Sequence, residues 1–278
     1  MIRNMLLLMD ATEDSAKLLD NSLTIFDKKE NHFSGIFVDG ISKDHLNHVF
    51  ENPSTINNEF SYKEILEKIL HSEAGNSEDF IHSFVNKCED LSLKVSVYLN
   101  NHSIDHDLLN DSLYSDLLLI GKNIFSHKKN NKHYNEIIEL LLRNSKCPVF
   151  LVPNEIKPLE NIILLFDGSE KSFEAIKLFS YLFETQLLKN KVILYTIMND
   201  LSMEEEKNIY NYIKTHQQYF SVMRSFPETY YNDLKNLLTQ FDNFILVTGV
   251  NRNEIIEDII FNHDHSFFLE GNRSVFMI

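Results

Sequence analysis

Two aspartates stand directly after short apolar runs, where a parallel sheet would present them to a ligand. Asp10 follows the apolar residues 6–9, and Asp167 follows the apolar residues 163–166. In open parallel sheets, ligands bind beyond the carboxyl ends of the strands. A carboxylate in that position either contacts the ligand or orders the turn that follows the strand. We therefore predict Asp10 and Asp167 as candidate binding residues, with turn formation as the structural alternative.

Two glycines end a second pair of apolar runs. Gly121 follows residues 117–120, and Gly249 follows residues 245–248. A glycine after a strand allows backbone N–H groups to approach phosphate oxygens, because no Cβ stands in the way. We predict Gly121 and Gly249, together with Lys122 beside the first of them, as candidate cofactor-binding residues.

The segment after Gly121 holds the one basic cluster of an acidic chain: Lys122, Lys128, Lys129 and Lys132, with His127 and His133. Such lysines could hold a phosphate or another anion as point charges, in place of backbone donors. Runs of lysine are more often solvated surface loops, and that interpretation is the one the sequence favours.

Other residues with catalytic or metal-binding chemistry form no recognisable site. Ser169 is not part of a Gly-x-Ser-x-Gly nucleophile elbow, and no histidine–aspartate partnership can be assigned to it. Cys88 and Cys147 are isolated thiols, which react only where they are exposed and near a positive charge. No cysteine or third ligand converges with the histidine pairs whose spacing would suit a metal: His45 and His48, His102 and His106, His263 and His265. We predict no metal site, no catalytic residues and no enzymatic activity.

The composition excludes several classes of partner. The net charge of the 278 residues is −15, divided as −8 in residues 1–158 and −7 in residues 159–278. An evenly acidic surface repels phosphate backbones, which disfavours nucleic-acid binding. The apolar runs are too short to span a bilayer or to act as a secretory signal, and two cysteines make no disulfide framework. We predict a cytoplasmic protein that binds neither nucleic acid nor membrane.

The chain repeats itself, with three anchors in the same order in both halves. The anchors are residues 6–15 and 163–172, residues 117–121 and 245–249, and residues 149–152 and 275–278. The distance between the first two anchors is 29 residues longer in the first copy. We assign that difference to residues 40–76. This stretch is polar and shows helical periodicity only in its second half, so we predict a loop followed by an extra helix. We predict a first domain at 1–153, a linker at 154–160 and a shorter second domain at 161–278.

Hydrophobic periodicity predicts the fold of each copy. Apolar runs of four or five residues indicate strands that are buried on both faces. Between them, apolar residues three and four apart indicate amphipathic helices, among them one helix over 170–187, while 219–223 is predicted as a strand. Strands that alternate with such helices form βαβ units. The expected fold class is therefore α/β: two tandem open, mainly parallel five-stranded sheets with helices on both faces.

These features together resemble the universal stress protein family. The resemblance is carried by Asp167-Gly-Ser-Glu170, by the strands ending in Gly121 and Gly249, and by the closing segment from Asn144 to Val152. It implies an adenine nucleotide alpha-hydrolase-like fold and a role in stress response. It also implies that the first Asp faces an adenine and that a Gly-x2-Gly-x9-Gly-[Ser/Thr] loop after the fourth strand holds phosphates. Members commonly dimerise, so the two copies are expected to form an intrachain pseudo-dimer, and association into a homodimer remains open.

The glycine loops of both copies depart from that pattern. Position 124 is Ile, positions 134 and 135 are Tyr and Asn, position 252 is Arg, and the third glycine of copy two falls in 261–263, which is Phe-Asn-His. Bulky side chains at these positions should block the approach of phosphate. We therefore expect a non-catalytic universal stress protein with degenerate nucleotide-binding loops and no bound cofactor, acting in stress response or as an interaction protein. The alternative is a protein that binds adenine nucleotide (ATP) or another anion at one remaining site.

Overall fold

The computed structural model describes the chain as two compact units, Met1–Cys147 and Pro148–Ile278. The described residues are 2–9, 13–27, 30–38, 83, 85–91, 97–100, 104–122, 141, 144–153, 155, 157–197, 202–249 and 273–278. Asp10, the extra segment 40–76, the loop lysines and histidines at 127–133 and the paired histidines at 45, 48, 102, 263 and 265 lie outside them; of His106 only the backbone is described.

The first unit contains a parallel sheet. Its described elements are β1 (Arg3–Met9), α1 (Glu13–Ile25), β2 (Asn31–Val38), β3 (Val97–Asn100), α2 (Ile104–Leu113) and β4 (Leu117–Gly121). The strand order is β3-β2-β1-β4, and every pair is parallel. Met5–Met9 of β1 and the first four residues of β4 are buried. Continuous apolar runs of this kind are typical of parallel strands that are covered on both faces of the sheet.

The second unit repeats this order and adds an antiparallel pair. Its elements are β5 (Val149–Val152), β6 (Asn161–Phe166), α3 (Glu170–Leu182), α4 (Glu184–Lys189), β7 (Lys191–Ile197), α5 (Met203–His216), β8 (Phe220–Ser225), α6 (Tyr230–Thr239), β9 (Phe244–Thr248) and β10 (Ser274–Met277). The order is β5-β10-β9-β6-β7-β8, parallel except where β5 meets β10. The predicted fold class, α/β with a mainly parallel open sheet, is confirmed.

Helices cover both faces of the sheet in the second unit. Arg224 of β8 contacts Glu206 of α5, with 2.5 Å between Arg224 Nη2 and Glu206 Oε1. The next residue, Ser225, donates a hydrogen bond to Asp233 of α6. Because successive residues of a strand point to opposite faces, α5 and α6 lie on opposite sides of β8.

Four buried phenylalanines join β5 to the rest of the second unit. Phe150 lies opposite Phe276 in the β5–β10 pair. The Phe150 ring also meets Phe183 edge to face at a centroid distance of 4.9 Å. Phe179 stacks on Phe183 at 4.5 Å and meets Phe276 at 5.3 Å. Since this cluster includes β5, the closing strand that the sequence assigned to domain 1–153 lies in the second compact unit, as do the described residues of the predicted linker.

No helix among the described residues has the length and apolar character needed to cross a membrane.

Candidate functional site

The turn after β6 is held together by its own side chains. The Ser169 N–H donates to Asp167 Oδ1 at 2.9 Å. Gly168 between them has φ 82°, a left-handed conformation that glycine adopts without the Cβ clash of other residues. Asp167 therefore orders the turn, which was the structural alternative to ligand contact. Contact of Asp167 with a ligand stays a prediction.

Ser169 begins helix α3. Its Oγ accepts a hydrogen bond from the Ser172 N–H at 3.1 Å, and the Ser172 hydroxyl donates to the Ser169 carbonyl at 2.9 Å. A serine in this position satisfies a backbone N–H that the first helical turn leaves without a partner. The cap fixes the start of α3 at the carboxyl edge of the sheet, beside the end of β9.

Gly249, directly after β9, lies against the first turn of α3. A Cβ built at Gly249 would stand 2.4 Å from both the carbonyl carbon and the carbonyl oxygen of Lys171, and 2.7 Å from the Ser172 nitrogen. Those atoms belong to helix backbone and cannot move as a side chain can. Close packing of strand end and helix therefore requires a glycine here, whether or not a phosphate is ever bound.

Gly121, the counterpart in the first unit, has more room. The nearest atoms to a Cβ built there are the Cβ and Cδ1 of Leu18, both at 3.9 Å, which is an ordinary van der Waals contact. The two glycines thus occupy equivalent places in the repeat but not equivalent surroundings. Packing alone explains why the residue must be glycine at position 249, but not at position 121.

Lys122 is buried, with 2% of its surface exposed. The sequence placed it in a solvated basic loop, and the structure instead puts its side chain inside the first unit. A buried ammonium group is stable only with partners that compensate its lost hydration. The other basic residues of that cluster lie outside the described residues, so the anion-binding alternative for this loop stays a prediction.

A polar cluster that the sequence did not reveal lies at the carboxyl ends of β7 and β8. The Tyr195 hydroxyl donates to the Tyr230 carbonyl at 3.1 Å. Thr229 donates to Asp233 Oδ2 at 2.6 Å, and Ser225 donates to the same oxygen. These two hydroxyl donors lower the pKa of Asp233, Ser225 having the larger effect. The only available signal was the four-residue spacing of positions 225, 229 and 233, which is also common on surface helices.

Tyr230 connects this cluster to the turn after β6. Burial, the neighbouring Tyr195 and the charge of Asp167 all raise the pKa of the Tyr230 phenol, burial most strongly. A phenol with a raised pKa stays neutral at physiological pH and can act only as a hydrogen-bond donor or acceptor. The Ser225 hydroxyl is bonded to one oxygen of Asp233, and Tyr230 brings this cluster within electrostatic range of Asp167.

Both cysteines are buried thiols. Burial raises the pKa of Cys88 to about 12, although the charge of Lys87 opposes the shift. Burial also raises the pKa of Cys147 to about 11, against the hydrogen bond from Ser145. Since the thiolate is the reactive form, burial and a raised pKa both disfavour reaction of either cysteine in the folded protein. Within the described part of the chain, no three His, Cys, Asp or Glu side chains form a group that could hold a metal ion.

The burial and protonation of the two cysteines can be tested directly by chemical labelling. At pH 8 we expect a thiol reagent to modify neither Cys88 nor Cys147 of the folded protein at the rate of a free cysteine, because both thiols are buried and their pKa values lie well above 8. In urea both should react quickly. Mass spectrometry of alkylated peptides over time measures both rates. Rapid labelling of either residue in the native protein would contradict the buried, protonated state.

Comparisons with known proteins establish the fold. No protein-family model matches the sequence, and no curated protein matches it. A universal stress protein from Archaeoglobus fulgidus DSM 4304 matches the structure with a TM-score of 0.61 and 14% identity, over 99% of this chain and 95% of that one. The chain has the universal stress protein fold. A functionally unknown protein from Pseudomonas aeruginosa PAO1 shares it, with a TM-score of 0.56 and 9% identity over 100% of this chain and 92% of that one.

Proposed function

We propose that this chain is a tandem universal stress protein that catalyses no reaction and acts in the cytoplasm, in stress response or as an interaction protein. The observation that carries the proposal is the match of the universal stress protein fold over 99% of the chain. Fold alone does not determine function, so the argument also depends on the residues at the carboxyl edges of the two sheets.

The tandem arrangement is supported by the strand order. β1 lies between β2 and β4 in the first unit, and β6 lies between β7 and β9 in the second. The closing strands β5 and β10 form an antiparallel pair. An intrachain pseudo-dimer of the two copies, with association into a homodimer as a further step, is the arrangement that we infer for such a repeat.

The loss of nucleotide binding is supported by both sequence and packing. Asp167 is bonded to the turn that it begins, and Gly249 is packed against α3, so each has a structural task already. The glycine-loop positions 124, 134, 135 and 252 carry side chains where phosphate binding needs bare backbone. Two hydroxyl groups of the second sheet edge have structural partners: Ser225 donates to Asp233, and Ser169 caps α3.

The proposal predicts that the purified protein does not bind ATP-Mg²⁺ more tightly than about 100 μM, which corresponds to about 5.5 kcal/mol of binding free energy. Isothermal titration calorimetry measures this, and mass spectrometry of small molecules released by denaturation checks the protein for ligand acquired during expression. Co-purified adenine nucleotide, or a titration with a clear low-micromolar transition, would contradict the proposal.

The alternative is that one site still holds adenine nucleotide or another anion. The observation in its favour is the room beside Gly121 together with the adjacent Lys122. ATP binding that is lost in Lys122→Ala would establish this alternative, with Lys146→Ala, an exposed lysine of the same unit, as the charge-matched control. Phosphate release abolished by Asp167→Ala would instead indicate a nucleotide hydrolase.

A further inference from the structure

Strand β8 is the last described strand of the second sheet and has one open edge. Among the described strands it pairs only with β7, in unbroken register from Phe220 to Ser225. An edge strand presents a row of backbone N–H and C=O groups that can pair with another strand. Proteins usually protect such edges with proline, with bulges or with lysine side chains. The six residues of β8 include no proline, glycine or lysine, so this edge is suited to pairing.

Three residues of β8 share the face on which α5 lies. Phe220 meets Tyr210 of α5 edge to face at a ring-centroid distance of 6.0 Å, and Arg224 Nε donates to Glu206 Oε1 at 2.9 Å. Because side chains alternate along a strand, Val222 points to the same face. Phe220 and Val222 are partly exposed, and the Arg224 side chain is 44% exposed. All three can therefore be reached by a strand that pairs with β8.

The sequence of β8 is complementary to itself about Val222. Phe220 stands two residues before Val222, and Arg224 stands two residues after it. When two copies of a strand pair antiparallel around a two-fold axis, each residue lies opposite the one at the same distance beyond the centre. Pairing about Val222 therefore places Phe220 of each copy opposite Arg224 of the other. A guanidinium group beside an aromatic ring is a favourable cross-strand pair.

The charge around β8 is close to balanced. Residues 202–235 carry a net charge of −1, while the whole chain carries −15. The local value comes from five acidic and four basic side chains: Glu204, Glu205, Glu206, Glu228 and Asp233 against Lys207, Lys214, Arg224 and Lys235. A second copy of the chain therefore meets little electrostatic repulsion at this edge, and a strongly charged partner of either sign has no advantage there.

We propose that β8 joins two copies of this chain, by pairing antiparallel with β8 of a second copy around a two-fold axis at Val222. The sheets of the two second units then continue through the interface as one sheet. Backbone hydrogen bonds supply affinity, as in other strand-addition complexes, and the pairs of Phe220 with Arg224 fix the register. This dimer is the homodimer step of the proposed function, on which the inference rests, and it is independent of nucleotide binding.

Sedimentation equilibrium of the full chain tests whether the dimer forms. A single strand pair buries a small interface, so we expect a weak dimer with a Kd of about 1–100 μM. Across this range of concentration the weight-average mass should rise from the 32.6 kDa of one chain toward twice that value. Hydrogen–deuterium exchange should show that residues 220–225 become protected as the concentration rises.

Opposite charges at the centre of the pair test its symmetry. Val222→Lys and Val222→Glu each place like charges opposite each other, so each should weaken the dimer at least ~10-fold, a difference of about 1.4 kcal/mol. Mixed in equal amounts, the two variants place a positive charge opposite a negative one and should dimerise again.

The matched controls carry the same charges away from β8. Leu188→Lys and Leu188→Glu alter a residue that is 59% exposed on α4, and they should change the Kd less than about twofold. Circular dichroism shows whether each variant folds. Ser221→Lys, at an exposed position of β8, replaces Val222→Lys if that variant does not fold, and it should also weaken the dimer because charges on edge strands oppose pairing.

Several results would overturn the proposal. One is a chain that stays monomeric at about 1 mM, above the expected range of Kd. Another is a dimer that Val222→Lys weakens no more than Leu188→Lys does, since a different surface would then join the copies. Mixed variants that do not dimerise would exclude a two-fold pair at Val222, and growth beyond the dimer would indicate a head-to-tail contact instead.

The ATP titration separates this proposal from the proposed function. A monomer that binds no ATP would remove the β8 dimer and leave a non-catalytic protein without bound nucleotide. A dimer through β8 that binds ATP tightly would do the reverse.

Discussion

Gly249→Ala should lower the free energy of unfolding of the second unit by about 3 kcal/mol or more, at the upper end of what overpacking costs. The added Cβ would stand 2.4 Å from the Lys171 carbonyl group and 2.7 Å from the Ser172 nitrogen. Relief requires the start of α3 to move away from β9, which would disturb the Ser169 cap and the Asp167 turn as well. Urea denaturation followed by far-UV circular dichroism measures the loss. Hydrogen–deuterium exchange of peptides from 161–197 assigns it to this unit.

Gly121→Ala is the matched control. Its Cβ would meet only Leu18 side-chain atoms at 3.9 Å, so we expect a change within about 1 kcal/mol, of either sign. If the two variants were equally stable, the close contact between Gly249 and α3 would be wrong. If both were strongly destabilised, the difference between the two units at these glycines would be wrong.

Phe150→Ala should cost about 3–5 kcal/mol, the usual range for removing a buried phenylalanine. Phe150 is 0% exposed, packs on Phe183 at 4.9 Å and lies opposite Phe276. Its removal leaves a cavity among three other aromatic rings: Phe179 of α3, Phe183 at the break between α3 and α4, and Phe276 of β10. We also expect the exchange of β10 amides to accelerate, because β5 is held to β10 partly by this side chain.

Leu188→Ala is the control for side-chain truncation in the same unit. Leu188 is 59% exposed on α4, and surface truncations usually change stability by about 0.5 kcal/mol or less. A Phe150→Ala variant as stable as Leu188→Ala would show that β5 does not belong to the core of the second unit. Thermal and urea unfolding, compared in parallel, would reveal this.

The elements most accessible from the sequence were those whose signal is local. The continuous apolar runs predicted β1, β4, β6 and β9, since strands buried on both faces need no alternation. The prediction of one helix over 170–187 was less accurate. The structure has α3 and α4 with a break at Phe183, whose φ and ψ are −117° and 32°. Phe183 turns into the aromatic cluster, and that tertiary contact outweighs the helical periodicity around it.

Edge strand β8 also shows the limit of periodicity. Residues 219–223 were predicted as the strand, and 220–225 form it. Its exposed positions and its arginine carry little hydrophobic signal, because one side of an edge strand meets water. The strand exists through its hydrogen bonds to β7 and its contacts with α5 and α6.

The candidate site can be divided in the same way, into features that depend on the local sequence and features that depend on contacts between elements. The place of Asp167 at a strand end was predictable from the local run, and so was its ability to form a turn. The reason for Gly249 was not, because the atoms that require it belong to Lys171 and Ser172, far earlier in the sequence. Burial of Lys122 and the hydroxyl donors around Asp233 depend equally on contacts between elements. Single-sequence patterns do not record such contacts.

The pairing of β5 with β10 has a consequence for how the second unit is assembled. It joins Val149 to Met277, two residues 128 positions apart. Contacts between such distant positions close large loops and slow the folding of a domain. The phenylalanine cluster can therefore form only after residue 277 has been synthesised, so the nascent unit exposes Phe150 and Phe183 until late. A fragment cut at the predicted linker 154–160 would lack β5 and therefore the strand that pairs with β10.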